Sequence, residues 1–459
     1  MPTLTFLGAA RTVTGSKHLL DTGDAQVMVD AGLFQGLKEL RLRNWDELPI
    51  RASQIEAVVL THAHLDHVGY LPRLINQGFR GRVFCTPGTK DLARLVLLDS
   101  AKIQEEDARY ANAKGFSKHH PAMPLYTVDD AARALLQLQP VGYHRPVPVA
   151  KGIEIEFVPI GHLLGAAAVK MTLAAGGQRV VFGGDLGRYD RPVLRDPESI
   201  AEADVLLVES TYGDRAHEPG DNGDQLARVI TETSARGGRV VIPSFAIGRV
   251  EEVLFWIKKL EDENRIPNLP VFLDSPMALS ALELYGNRTG ELDPEFAEGG
   301  GKLSGFTTER FTAVTSSQQS AELTRSRQPS IIVSSSGMAT GGRVLHHLRA
   351  ILPDQRNTVL FVGYQAAGTR GRQLVEGARQ VKMHGRLIDV QARIEKIDSM
   401  SAHADAGEIL RWLHGFMKPP RMTYLVHGEP GAQQALQNRI HAELGWKTYI
   451  PAHEEQVEI

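Results

Sequence analysis

Short apolar runs broken by Gly and Asp dominate the first part of the chain. Leu4 to Gly8, His18-Leu19-Leu20-Asp21 and Gln26-Val27-Met28-Val29-Asp30 predict an antiparallel meander, with a loop of small and hydroxyl residues, Gly8 to Ser16, between the first two. Ala57-Val58-Val59-Leu60 reads as a buried strand and Val68 to Ile75 as the start of a short helix. Gly81 to Thr86 follows as a strand and Thr89 to Glu106 as a helix. Residues 107–126 read as irregular, with Ser117-Lys118-His119-His120-Pro121 a surface loop. Ile153–Val158, Ala167–Leu173, Arg179–Phe182 and Asp204–Val208 are further strands. From about residue 210 strand and helix signals alternate: Arg239–Pro243 then helix 249–260, Pro270–Asp274 then helix 277–285, Ser330–Ser334 then helix 343–352, and strand Thr358–Gln365. That alternation predicts a parallel sheet with crossover helices. Glu291 to Ser304 is Gly-rich and reads as a mobile loop, and a helix and the strand Met422–Val426 follow residue 405.

Polar chemistry collects where these strands end. Thr61-His62-Ala63-His64-Leu65-Asp66-His67 sets four metal-ligand types in one short stretch directly after a strand. Residues two apart in extended or turn backbone project to the same side, so His62 and His64 can face one ion. Asp66 opens the helix signal, where free N–H groups hold a carboxylate in its ionised, metal-binding form. Neutral imidazole and carboxylate suit zinc, manganese or iron without any thiolate. Asp30, at a strand end, is read as a partner that orients a metal-bound imidazole. His162 lies between glycines at a strand junction, Asp185 follows a Gly-Gly turn, and Glu209 ends a strand. His403 stands in Ser401-Ala402-His403-Ala404-Asp405, and His427 follows the strand ending at Val426.

Composition sets bounds on this picture. At 459 residues the chain exceeds one ordinary core, so two domains, or one with a large insertion, are expected. No apolar run reaches membrane-spanning length, and the first residues lack a signal peptide's pattern and read as the first strand. The single cysteine, Cys85, excludes an internal disulfide framework and a cysteine-rich zinc ribbon, and cytoplasmic residence is the default expectation. Net charge is −3, so an anionic polymer would have to be held by a local basic patch, by metals, or by both.

The ordered set Asp30, His62-x-His64-x-Asp66-His67, His162 and Asp185 resembles the metallo-β-lactamase superfamily, which implies an αββα sandwich. The α/β block after Asp185, with Glu209, Ser399-Met400-Ser401-Ala402-His403-Ala404-Asp405 and Leu425-Val426-His427-Gly428-Glu429, is similar to the β-CASP nucleases. Histidine at the last of these positions marks the branch that acts on RNA. The resemblance implies a first part of the metallo-β-lactamase domain at 1–209, an inserted Rossmann-like β-CASP domain at 210–389, and a C-terminal return at 390–459. The chain is similar to the compact bacterial relatives of the cleavage-and-polyadenylation endonuclease subunit, whereas archaeal relatives carry N-terminal KH domains and ribonuclease J an added C-terminal domain.

The same resemblance implies two zinc ions, with manganese the alternative: His62, His64 and His162 on one, Asp66, His67 and His427 on the other, Asp185 bridging. His403 is implied as the general acid, oriented by Glu209. The activity implied is endonucleolytic hydrolysis of single-stranded RNA to 5′-phosphate and 3′-hydroxyl ends. A 5′-to-3′ exonuclease, a catalytically weak RNA-binding subunit and a small-molecule ester or thioester hydrolase are the competing readings, and self-association is left open. The strand–helix turn Ser334 to Arg343, with Ser336 and Gly337, offers hydroxyls and N–H groups as a phosphate cradle, and Arg249 offers a cation similarly. Thr369-Arg370-Gly371-Arg372, Arg379, Lys382 and Arg386 are locally basic. They read equally as a strand-tracking patch and as a solvated face.

Overall fold

The protein is described from a computed structural model covering residues 1–115, 117, 119–217, 222–298 and 303–459. Lys118 of the surface loop and residues 299–302 of the Gly-rich stretch therefore lie outside the described residues. The chain divides into two compact units. The first is Met1–Asp190, Arg195–Ala216 and His403–Ile459; the second is Arg191–Leu194 and His217–Ala402.

Two seven-stranded sheets build the first unit. One runs Gln456–Glu458, Thr3–Phe6, His18–Asp21, Gln26–Val29, Ile55–Val59, Arg82–Cys85 and Leu138–Pro140 in spatial order. The meander is antiparallel through Gln26–Val29 and parallel from there on. The other runs Thr448–Tyr449, Met422–Val426, Val205–Glu209, Arg179–Phe182, Ala167–Leu173, Ile153–Pro159 and Val147–Ala150. Alternate residues of both sheets, among them Phe6, Val27, Val59, Phe157, Val169, Phe182 and Leu207, share one buried cluster. This is the sheet-on-sheet core that period-2 patterning demands. Helices cover it, and the longest, Pro87–Lys114, corrects the expectation of irregular chain after residue 106. Ala108, Ala111 and Ala113 keep that stretch helical, and Gly115 in the left-handed region stops it.

The second unit holds a six-stranded sheet in the order Phe311–Ala313, Val271–Asp274, Ile331–Ser334, Val240–Pro243, Thr358–Phe361, Arg393–Lys396, parallel throughout. Its central strands are buried on both faces, as a parallel sheet requires. The crossover helices include Val250–Asp262, Pro276–Asn287 and Val344–Ile351. The Gly-rich region carries the short helical stretches Thr289–Glu291, Pro294–Glu298 and Leu303–Gly305 on either side of the undescribed residues. No described helix is long and apolar enough to cross a membrane.

Candidate metal centre and active site

Strand ends of the first unit, and the loops and helix starts that follow them, carry the polar groups singled out there. Gln26–Val29 and Ile55–Val59 are parallel with Val29 opposite Val59, so Asp30 and Thr61 leave the sheet together. The Thr61 N–H donates to Asp30 Oδ1 at 2.8 Å. In the other sheet Val205–Glu209 lies parallel to both Arg179–Phe182 and Met422–Val426. Glu209 sits opposite Val426, which delivers His427 beside Ser210 although the two are distant in sequence. Asp30 (φ 61°) and His427 (φ 49°) occupy the left-handed region. For residues other than Gly that conformation costs roughly 1–2 kcal/mol, and it is tolerated where a side chain must be aimed.

Two sets of donor atoms converge here, and a third, Asp185, Glu209, His403 and His427, overlaps them. His62, His64, His162 and Asp185 form one, and Asp66, His67 and His427 another. In the first set His64 Nδ1 lies 3.1 Å from His62 Nε2 and 3.1 Å from His162 Nε2. Asp185 Oδ2 is 3.4 Å from His62 Nε2 and 3.7 Å from His162 Nε2. In the second, His427 Nε2 is 3.4 Å from His67 Nε2 and 3.4 Å from Asp66 Oδ2. Asp185 Oδ2 is also 3.4 Å from His67 Nε2, so one carboxylate oxygen borders both sets. Metal–ligand bonds of about 2.0–2.1 Å in a tetrahedron put neighbouring donors about 3.3–3.4 Å apart, and the spacings here, from 3.1 to 3.7 Å, bracket that separation. The other oxygen, Asp185 Oδ1, is buried without a hydrogen bond of normal geometry among the described residues and lies 3.4 Å from His427 Nδ1.

Hydrogen bonds behind the donors fix their rings. His67 Nδ1 is 2.7 Å from Asp30 Oδ2, His62 Nδ1 is 3.0 Å from Thr61 Oγ1, and His427 Nδ1 is 3.1 Å from Thr211 Oγ1. Each bond engages Nδ1 and turns Nε2 toward the cluster, the arrangement that selects a ligand tautomer. Burial, helped by neighbouring histidines, pushes His62 down to about 3 and takes His162 well below the ordinary range. Burial likewise pushes His64 down to about 4, against the pull of Asp66 and Asp185. These rings are neutral near pH 7, the form that binds metal. His67 is the exception. Burial opposes its charge, yet the Asp185 and Asp30 carboxylates outweigh burial and raise it well above the ordinary value. Positive charge is wanted at that point, and a proton and a cation compete to supply it. Asp66 and Asp185 resist burial too, and neighbouring histidines hold both below the ordinary carboxylate range.

Beside the two sets stands His403. Its Nδ1 lies 3.1 and 3.0 Å from the two oxygens of Glu209 and 4.0 Å from Asp185 Oδ2. Glu209 is fully buried, and its Oε1 accepts from the Leu186 N–H at 2.6 Å, so the carboxylate is fixed before it meets the ring. Burial works against a charged His403, but Glu209 and then Asp185 raise it above the ordinary histidine value. The His403 side chain keeps 16% exposure, enough to reach a substrate. The structure thus brings Asp30, His62, His64, Asp66, His67, His162, Asp185, Glu209, His403 and His427 together within the first unit.

Ser336, Gly337 and Arg249 belong to the second unit. Ser336 Oγ accepts from the Thr340 N–H at 3.0 Å and so closes its own loop, while Gly337 packs where a Cβ would lie 2.7 Å from the Phe245 ring. Arg249 is buried and donates to Glu252 at 2.7 Å. In the basic run, Arg370 donates to the Lys382 and Ala339 carbonyls, and Arg372 lies 3.6 Å from Glu376. Sequence reading assigned no role to Thr61 or Thr211, although each sits at a strand end next to a named residue. It also passed over Lys17, whose buried ammonium donates to the Gly32 carbonyl at 2.7 Å and the Gly15 carbonyl at 3.1 Å.

Comparison with known proteins places this centre in a family. Residues 24–236 match the beta-lactamase superfamily domain, 250–374 the Beta-Casp domain, and 387–451 the Zn-dependent metallo-hydrolase RNA specificity domain. Ribonuclease TTHA0252 of Thermus thermophilus is 36% identical over 428 residues, covering 92% of this chain and 92% of that protein. The transcription termination factor FttA of Methanosarcina mazei is 30% identical over 99% of this chain and 71% of its own length. A crystal structure of a protein of unknown function from Enterococcus faecalis V583 shares the fold, with a TM-score of 0.54 at 14% identity over 99% of both chains. The chain belongs to the β-CASP family of the metallo-β-lactamase superfamily and is a metal-dependent hydrolase carrying an RNA-specificity domain.

Proposed function

We propose that the protein is a dizinc RNA endonuclease that leaves 5′-phosphate and 3′-hydroxyl ends, acting in the cytoplasm on single-stranded RNA. One observation carries the reading: a histidine bonded to a buried glutamate, His403 on Glu209, stands at the margin of two donor sets that share Asp185. A thioester releases a thiolate that departs without a proton, whereas a phosphodiester releases a ribose oxygen that needs one, and His403 on Glu209 is placed to supply it.

His62, His64 and His162 would hold one ion, Asp66, His67 and His427 the other, with Asp185 between them; the convergence of these donors, and Asp185 Oδ2 at 3.4 Å from both His62 Nε2 and His67 Nε2, fit such a pair. When bound, the ions supply Lewis acidity toward water and the phosphate oxygens. The protein's own contribution is orientation and proton control. Asp30, Thr61 and Thr211 hold the ligand rings on Nδ1. Glu209 holds His403 by its Nδ1, so the Nε2 edge presents the proton to the leaving 3′ oxygen. Similarity to Ribonuclease TTHA0252 supports RNA as the substrate.

The test is cleavage of end-labelled linear RNA and of a circular RNA by the zinc-loaded enzyme, with and without chelator, and with product ends mapped. Cleavage of the circle with 5′-phosphate ends is expected. A circle left whole while the linear RNA is degraded from its 5′ end would replace this reading with an exonuclease.

A further inference from the structure

We propose that residues 37–45 of the first unit are a docking surface for single-stranded RNA, taking phosphates on Lys38, Arg41 and Arg43 and a base on the face of Trp45. The proposal rests on the RNA reading above and extends it to a surface outside the metal centre.

The segment hangs from the backbone that frames Asp66. Gly32 packs so closely there that a Cβ would lie 1.6 Å from the Asp66 carbonyl oxygen, and the Leu33 N–H donates to the Leu65 carbonyl at 3.1 Å. Two residues further on, Phe34 binds a buried Asn44 on both sides of its peptide. The Phe34 N–H donates to Asn44 Oδ1 at 2.9 Å, and Asn44 Nδ2 donates to the Phe34 carbonyl at 2.8 Å. Asn44 thus closes the excursion 35–43 onto the metal-side loop. Its neighbours are tied as well: the Arg43 guanidinium lies 5.6 Å from the Phe34 ring centroid, and Arg73 donates to the Trp45 carbonyl at 3.4 Å. Chain reach from Gly32 through Phe34 and Asn44 keeps Trp45 within roughly 20 Å of Asp66, a span of a few nucleotides.

Apart from Asn44, this anchored segment buries no side chain. The turn of helix Lys38–Leu42 has no buried residue, and Leu37, Leu42 and Trp45 are 37%, 53% and 47% exposed. Of the chain's 4 tryptophans, Trp412 and Trp446 are buried and Trp256 half-buried, so Trp45 alone presents its ring to solvent. Lys38, Arg41 and Arg43 make no ion pair with a carboxylate among the described residues. Over residues 37–51 four cations (Lys38, Arg41, Arg43, Arg51) accompany three carboxylates (Glu39, Asp46, Glu47), a small local positive excess on a chain of net charge −3. An exposed indole among unpaired cations is the composition that holds a flexible polyanion with flat bases, by stacking and phosphate contact. A protein partner would be met by the apolar residues, but it would leave the cations unmatched.

The test compares the zinc-loaded wild type with Trp45→Ala, Trp45→Phe and Lys38→Ser/Arg41→Ser. KM and kcat are measured on a single-stranded RNA 12-mer and on bis(p-nitrophenyl) phosphate, a diester too small to reach the segment. Trp45→Ala should raise KM for RNA on the order of tenfold, with Trp45→Phe near wild type and turnover of the small diester unchanged. The double variant should lower the slope of log affinity against log salt by about 1.4, at about 0.7 per single-strand phosphate contact. Unchanged KM for RNA in Trp45→Ala, or parallel loss on both substrates, would overturn the proposal. So would a change in sedimentation alone, which would make the segment a contact between copies. If the wild type neither binds nor cuts RNA, the functional reading fails first and takes this proposal with it.

Discussion

At the residue scale, the centre separates groups that hold a ligand from groups that hold the ligand's ring. Substituting Asp30→Asn or Thr61→Ala leaves all seven donor residues present and loosens His67 or His62. Zinc affinity should fall 10–100-fold, read by competition with a chromophoric chelator, with the fold retained by circular dichroism. His403→Ala should do the opposite: zinc content unchanged and RNA cleavage down roughly 10²–10⁴-fold, measured in single turnover. His62, His64, Asp66 and His67 were legible as candidate donors because a compact run of His and Asp after a strand has few other uses, whereas His162, Asp185 and His427 stood out only through the family resemblance. Thr61 and Thr211 were not, since a hydroxyl gains its meaning only from the ring it faces. Arg249 and Arg370 show the same limit from the other side. The sequence displays their charge but not what engages it: Glu252 one helical turn after Arg249, and for Arg370 the Lys382 and Ala339 carbonyls from elsewhere in the fold.

At the element scale, helix Pro87–Lys114 does more than cover a sheet. Its cap residue Thr86 and its first-turn Thr89 both donate hydroxyls to the Gly165 carbonyl, at 2.6 and 2.9 Å, and so pin the loop that carries His162. Gly165 has φ +81°, and a Cβ there would lie 2.1 Å from the Thr89 nitrogen. Gly165→Ala should therefore lower the first unit's melting temperature and the stoichiometry of bound zinc together, checked by calorimetry and metal analysis. The sequence showed His162 between glycines without showing that a helix start held it. In the second unit, Glu251 lies buried near the start of helix Val250–Asp262. Burial pushes its carboxyl up to about 8; the N–H groups of Gly248 and of Glu251 itself, and the charge of Arg249, oppose this without a hydrogen bond of normal geometry to either oxygen. A folded-state value above the unfolded one favours the neutral acid. Its stabilising effect is complete below about pH 4.5 and is lost as pH rises toward 8. Glu251→Gln should flatten that decline and stabilise the unit by a few kcal/mol near pH 8–9, read from urea midpoints across pH 4.5–9.

At the scale of the whole molecule, two units with separate cores answer differently to metal. Donors from strands far apart in sequence are cross-linked only when an ion is present, so chelation removes stability from the first unit and leaves the second untouched. Two calorimetric transitions are expected, one moving down on chelation and returning with zinc. A single transition moving as one block would show that the units unfold together. Fold class was legible here because the hydrophobic period changes near residue 210, from meander to alternating strand and helix. The parallel pairing of Met422–Val426 with Val205–Glu209 was not legible, because no local signal links strands more than two hundred positions apart.

That pairing has a consequence for how the protein is made. While the ribosome is still translating the stretch between Asp185 and His427, strand Val205–Glu209 lacks its neighbour Met422–Val426, and the proposed second metal set lacks its histidine. At about 5–20 residues per second the interval lasts on the order of 10–50 s. Placing the last of the proposed ligands after the inserted unit would leave the second metal set one histidine short until residue 427 has been made, so the order of elements along the chain sets when that set can be completed.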